Sequence, residues 1–280
     1  MIENAVVVGT GKLAYSCAKM LLKRNMQCIV YEYGEYSYSN LELQCHYNSI
    51  QYSHVTKQEL TQILFGIQEE MLIVSANNTY LFPANIVYKK NLHIINFHPA
   101  LLPKHAGRNA EAWSIYEEDE KSGITWHWVD DKIDHGAIVV SEEILLDNNI
   151  TSLKLMGKQV TAAENAFSRI LPVICEDVGY FAERNEETKE KLHYAEDVPN
   201  NGIFNIEWAV GKMSAFLRAM DYGRLKVMGL PYCILENEKW IWDNYCITMN
   251  IENEITDIKQ GIFANKEQIV KLENFRRKKE

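Results

Sequence analysis

No stretch of the sequence approaches the roughly 20 apolar residues needed to cross a bilayer. Even apolar segments such as Ile133 to Leu146 are broken by charges. The six cysteines, Cys17, Cys28, Cys45, Cys175, Cys233 and Cys246, show no C-x-x-C spacing, and several sit inside apolar patterns, so reduced core thiols are expected. Neither an H-E-x-x-H motif nor a cysteine–histidine ligand spacing occurs, and no metal is expected. An excess of basic charge is missing too. Residues 1–150 carry 11 basic against 18 acidic groups and residues 151–280 carry 18 against 20, so neither half offers a polyanion a surface and nucleic acid is not an expected partner. The single basic cluster, Arg276 to Lys279, reads as a solvated chain end. Met-Ile-Glu-Asn leads directly into an apolar strand with no basic n-region or cleavage site, and a cytoplasmic location is therefore expected. What is present is 280 residues, 47% hydrophobic, enough for two globular domains at about 150 residues each.

The first segment reads as a βαβ unit, with strand Ala5–Val8, turn Gly9-Thr10-Gly11, an amphipathic helix from Lys12 to Arg24, and strand Cys28–Tyr31. Strands are also predicted at Met71–Ser75, Leu92–Ile95, Ile124–Val129 and Ala137–Val140. Their alternation with helices predicts an α/β fold with a Rossmann-like, mainly parallel sheet covered on both faces. Ligands of such sheets gather beyond the carboxyl ends of the strands. A helix is predicted from about Ser152 to Glu176, with Leu153, Met156, Val160, Ala163, Phe167, Ile170 and Val173 as its packing stripe. The charged run after Glu183 lacks such a stripe and reads as a linker. The expected organisation is a catalytic domain over residues 1–182, a linker over 183–198, and a small C-terminal α+β domain over 199–280. The last contains a turn at Pro199–Gly202, a helix from Trp208 to Met220 and a pair of aromatic-rich strands within Tyr232–Met249.

Gly9-x-Gly11-x-x-Ala14 follows a strand and opens a helix, and Glu32 ends the next strand. That pattern suits a dinucleotide, with pyrophosphate at the helix N-terminus and Glu32 on a ribose. It equally suits a tight turn with close helix packing, and these residues alone leave both readings open. Asn96 and His98 stand two apart at a strand end, so their side chains share a face. An amide N–H can stabilise an oxyanion, and an imidazole exchanges protons near neutral pH. Asp134, on a glycine-containing loop, could approach the imidazole; together the three suit acyl transfer without a covalent intermediate. Each also has a plainer reading: His98 as a satisfied core histidine, Asn96 as a turn cap and Asp134 as an Asx turn beside Gly136. His127 reads as a structural partner, and His105 and His135 as loop residues without a role.

The string Asn96-Phe97-His98-Pro99-Ala100-Leu101-Leu102-Pro103, then Gly123-Ile124-Thr125-Trp126-His127, then Asp134-His135-Gly136-Ala137-Ile138 resembles the folate-dependent formyltransferase family. Members share N-x-H-x-x-L-L-P, G-[VI]-T-x-H and D-x-G-x-I elements in that order, and the 36-residue step from His98 to Asp134 fits. The likeness covers about the first 180 residues. A fainter one, to the small C-terminal domain of methionyl-tRNA and nucleotide-sugar formyltransferases, runs through Asn201-Gly202-Ile203, Trp208 and Phe216–Ala219. The resemblance implies Asn96, His98 and Asp134 as the catalytic trio and 10-formyltetrahydrofolate as one-carbon donor. It further implies a donor site bordered by Tyr80, Leu81, Phe82, Asp130, Ile133 and His135, and a glycine turn with no dinucleotide. The expected acceptor is a primary amine on an amino sugar nucleotide or a carrier-tethered amino acid. Arg108, Asn109 and Glu111 are candidates to grip it, with solvation as the plain alternative. Two competing activities are hydrolysis of the formyl-folate, which would use the same trio, and a nicotinamide-dependent oxidoreductase or nucleotide-sensing module built on Gly9, Gly11 and Glu32.

Overall fold

The protein is described here from a computed structural model that covers residues 2–34, 40–182, 191–225 and 227–278. Strands β1 (Asn4–Gly9), β2 (Gln27–Tyr33), β3 (Gln51–Val55), β4 (Met71–Ala76), β5 (Leu92–His98), β6 (Lys121–Trp128) and β7 (Ile138–Leu145) form one sheet in the order β3-β2-β1-β4-β5-β6-β7. β1 to β5 pair in parallel, and β6 runs antiparallel to β5. The mainly parallel sheet is thus as expected. The antiparallel turn at β6 and the strand β3 go beyond the sequence reading, because β3 (Gln-Tyr-Ser-His-Val) carries little apolar signal at a sheet edge.

Side-chain alternation explains why both faces are covered. Val7, Val30, Leu72, Val74, Phe97 and Trp126 point to one side, where they pack with α1 (Gly11–Lys23), α2 (Leu41–Tyr47) and the part of α6 (Ser152–Glu176) beyond Lys158. Val6, Val8, Ile73 and Ile94 point to the other and meet Leu60 and Leu64 of α3 (Lys57–Gly66) and Ile86 of α4 (Ala84–Val87). The expected stripe on α6 holds in its middle, at Ala163, Phe167 and Ile170, and fails at its two ends. Leu153 and Val173 are 37% and 39% exposed, whereas Leu155, Gln159, Ala163, Ala166, Phe167, Ile170 and Ile174 are buried. The polar Gln159 occupies a core position because its amide nitrogen donates to the carbonyls of Pro99 (2.6 Å) and Gly123 (3.1 Å).

The chain divides into two compact units: residues 1–106, 123–144 and 158–192 form the first, and residues 107–122, 145–157 and 193–280 the second. The expected linker over 183–198 lies in part, at 183–190, outside the described residues. Its last residues belong to unit 2, where the His193 ring stacks on Trp113 at 4.2 Å and the His193 carbonyl accepts from the Arg108 amide. Unit 2 contains α5 (Ala110–Tyr116) and α7 (Val210–Ala219). Where a pair of strands is expected within Tyr232–Met249, three occur among the described residues, β8 (Cys233–Leu235), β9 (Glu238–Ile241) and β10 (Asn244–Met249), and β11 (Ile262–Ala264), β12 (Gln268–Glu273) and β13 (Arg276–Arg277) follow beyond it, the six forming two three-stranded antiparallel sheets. Its core gathers Phe204, Met213, Phe216, Leu217, Phe263, Val270 and Leu272. Of the basic cluster Arg276 to Lys279, Lys279 lies outside the described residues and the two arginines are exposed, as expected, yet ordered in a strand. Arg276 and Arg277 form β13, with ion pairs to Asp243 (2.6 Å) and Glu238 (2.7 Å).

Candidate active site

Sheet register assembles the first part of the site. Ser75 stands beside Asn96 across β4 and β5, and Asn96 faces His127 across β5 and β6, so the three side chains form a row on one face. The Ser75 hydroxyl donates to Asn96 Oδ1 at 2.6 Å and itself accepts from the Asn78 amide at 3.2 Å. This fixes which end of the Asn96 amide is oxygen and turns Nδ2 the other way, 3.1 Å from His127 Nε2 and 3.5 Å from Asp134 Oδ1. His127 Nδ1 donates to the Trp128 carbonyl at 2.9 Å, which leaves Nε2 to accept from Asn96. Every donor in this chain thus points in one direction, and the Asn96 N–H groups are held where they meet acceptors.

His98, two residues on and 2% exposed, lies on the same face. Its Nε2 is 3.0 Å from the His105 carbonyl, an acceptor only, so the proton sits on Nε2. Nδ1 then faces Asp134 Oδ2 at 3.2 Å. Burial holds the His98 pKa below its ordinary value, against the opposing pull of the Asp134 charge, with His127 adding a smaller downward push. A neutral Nδ1 lone pair against a carboxylate repels, and one added proton converts that contact into a charge-assisted hydrogen bond. The His98–Asp134 pair is therefore suited to take up a single proton. His127 Nε2 also lies 3.4 Å from Asp134 Oδ1, so one carboxylate meets three of the side chains in this cluster. Asp134 reaches them from a left-handed backbone conformation (φ 50°), which costs a non-glycine residue roughly 1–2 kcal/mol.

The segment after His98 is held by residues from other elements. Thr125 Oγ1 donates to the Ala100 carbonyl (2.7 Å) and accepts from the Leu102 amide (3.1 Å), and Gln159 supports Pro99 as above. Thr125, Ser75, Asn78 and Gln159 are functional supports that sequence reasoning left without a role. Ser75 and Asn78 carried a signal in their place at the end of a parallel strand, whereas Gln159 carried none, since it lies 60 residues from the carbonyl it holds.

The other expected site residues fall in varied settings. Tyr80 is buried, its hydroxyl 2.7 Å from that of Thr61 and its ring edge-on to Tyr33 and Phe82, and burial raises its pKa. Leu81 is 64% exposed, Phe82 half-buried, and Ile133 41% exposed. Asp130 and His135 bond to each other at 2.6 Å. Arg108, Asn109 and Glu111 belong to unit 2. There Arg108 is exposed, Asn109 donates to the Asp197 carbonyl at 3.0 Å, and the buried Glu111 carboxyl accepts from Tyr222 at 3.4 Å with its pKa raised by desolvation. Of the two readings of the glycine turn, packing is the one the contacts support. A Cβ on Gly9 would lie 1.9 Å from the Ala76 carbonyl oxygen, Gly11 takes φ +66°, and the buried Glu32 carboxylate accepts from the hydroxyls of Thr10 and Tyr52.

Residues 19–171 match the family described as formyl transferase. GDP-perosamine N-formyltransferase of Brucella melitensis biotype 1 is 26% identical over 168 residues, which cover 58% of this chain and 63% of that protein. Methionyl-tRNA formyltransferase of Clostridioides difficile is 28% identical over 152 residues, covering 54% and 48% respectively. The match therefore spans less than two thirds of the length of either curated relative. Among solved structures, the N-formyltransferase from Helicobacter canadensis in complex with folinic acid and dTDP-3-aminofucose superimposes with a TM-score of 0.74 at 16% identity, covering 97% of this chain and 99% of that one. This likeness extends the shared fold through unit 2.

Proposed function

The chain belongs to the formyl transferase family, and from that membership we propose that it transfers a formyl group from 10-formyltetrahydrofolate to the primary amine of an amino sugar nucleotide. The observation that carries the proposal is the convergence of Asn96, His98 and Asp134, with the Asp134 carboxylate 3.5 Å from Asn96 Nδ2 and 3.2 Å from His98 Nδ1. The relatives supply the acceptor class, since one is named for GDP-perosamine and another was solved with dTDP-3-aminofucose. The exposed apolar side chains Leu81 and Ile133 suit the flanks of a flat pterin ring, while Tyr80, its ring in the core and its backbone N–H and C=O bonded to the Asn78 side chain, shapes that wall from behind. A cytoplasmic setting is part of the proposal and agrees with six unpaired cysteines.

In the reaction the neutral amine attacks the formyl carbon, and the carbonyl oxygen takes the electron pair. The carbon–N10 bond then breaks, N10 gains one proton and the new amide nitrogen loses one, so the products are the formamide and tetrahydrofolate. Asn96 Nδ2, aimed by Ser75, keeps one N–H on His127 and turns the other from its long 3.5 Å contact with Asp134 to the developing oxyanion. His98, kept neutral by burial, takes up the proton with Asp134 as counter-charge and returns it toward N10.

The test is turnover of 10-formyltetrahydrofolate with GDP- and dTDP-linked amino sugars, with the formylated product followed by mass. Asn96→Ala and His98→Ala should each lower kcat by about 100-fold or more while binding of folinic acid persists. The reading is wrong if no amine accelerates tetrahydrofolate release, or if either variant turns over at a near-native rate.

A further inference from the structure

We propose that Asp130 and His135 form a staple that fixes Asp134 against His98, instead of serving as contacts to the formyl donor. The loop after β6 has four tie points. Asp130 Oδ1 accepts from the Lys132 amide at 3.0 Å, and Asp130 Oδ2 accepts from His135 Nδ1 at 2.6 Å, so one carboxylate grips the loop on both sides of residue 134. Asp131 Oδ2 accepts from the Tyr88 hydroxyl at 2.7 Å, which ties the tip to the end of α4. At the exit, a Cβ on Gly136 would lie 1.8 Å from the Trp128 carbonyl oxygen, so the chain is pressed onto the strand it has just left. Asp134 sits inside this bracket in its left-handed conformation, with Oδ2 3.2 Å from His98 Nδ1. A side chain held off its favoured backbone region needs neighbours that over-determine it. The Asp130 carboxylate supplies two of those constraints and the His135 ring closes the second.

Asp130 and His135 are thus positioning residues that act through Asp134. In rate terms the inference rests on the formyl-transfer reading, but it also has a readout that does not. The groups facing His98 are Asp134, His127 and His105. Of these charges only that of Asp134 raises the His98 pKa, so withdrawing Asp134 should move the His98 titration to lower pH.

The experiment compares Asp130→Ala, Asp130→Asn, His135→Ala and His135→Asn in the full chain. The asparagine at 130 keeps an acceptor for Lys132 and replaces the charge-assisted tie to His135 with at most a neutral one, which gives a milder variant should the alanine fail to fold. The asparagine at 135 restores an N–H donor near the position of Nδ1. Expected for Asp130→Asn and His135→Ala are a kcat about tenfold to hundredfold lower and a donor KM within about threefold of native. His135→Asn should recover most of kcat. In substrate-free protein, nitrogen-15 spectra of the histidine rings should show the His98 midpoint displaced downward in both variants and restored in His135→Asn. An unchanged His98 titration, or a raised donor KM with native kcat, overturns the staple. If the native chain formylates no amine, the functional proposal fails, and the His98 titration still decides whether Asp130 and His135 hold Asp134.

Discussion

His98 concentrates the chemistry because two opposing influences meet on it. Burial disfavours its charged form and Asp134 favours it, with burial the larger. The imidazole is therefore neutral at pH 7, and its charging belongs to the acid side of the ordinary histidine range. The rate profile follows with a definite sign: kcat should be flat near neutrality and fall only as pH drops through a midpoint below about 6.5, when His98 arrives already protonated. A profile falling instead from pH 8 toward 7 would remove His98 as the proton acceptor. Ser75 offers a second check at this scale. Ser75→Ala deletes the donor that orients the Asn96 amide and should lower kcat about tenfold, with a stability loss of only about 1 kcal/mol, read from turnover and thermal melts together.

At the scale of elements, glycines separate close approach from mere flexibility. Gly136→Ala forces a methyl group into the Trp128 carbonyl and should cost at least about 2 kcal/mol in chemical denaturation. Gly157, inside α6 with nothing within 4 Å of its would-be Cβ, behaves oppositely, and Gly157→Ala should gain about 0.5–1 kcal/mol. The same scale shows what could be read from the chain. Asn96 and His98 share a face because strands alternate, and that needed only their spacing of two. The core strands Val6–Val8 and Met71–Ala76 were legible because they are apolar on both faces. The stripe of α6 was legible at Ala163, Phe167 and Ile170 but not at its start, where Ser152 and Gln159 are buried through hydrogen bonds to distant backbone and the apolar Leu153 lies outside, nor at Val173. β13 was hidden for a related reason, because paired arginines in a strand look like a charged tail until Asp243 and Glu238 are seen opposite them.

At the scale of the whole molecule, five of the six cysteines are buried and Cys246 is exposed. Burial pushes the Cys28 thiol up to about 12 and those of Cys45 and Cys233 to about 11, so these thiols are poor nucleophiles. A thiol reagent should label one site in the native protein and six after denaturation; rapid native labelling of more than one would contradict the packing. Phe216, fully buried in unit 2, should cost about 3–5 kcal/mol on truncation to alanine.

Unit 2 is assembled from three separated stretches of chain, and this bears on how the protein is made. Tyr116, at the end of α5, packs against Trp208 and Phe216, which are translated about 90 to 100 residues later. As the polypeptide leaves the ribosome, α5 emerges long before its cover exists. The nascent chain must carry that uncovered aromatic face until Trp208 and α7 appear. For the same reason, cutting the gene at a point near residue 199 would yield a sticky fragment and not a minimal enzyme.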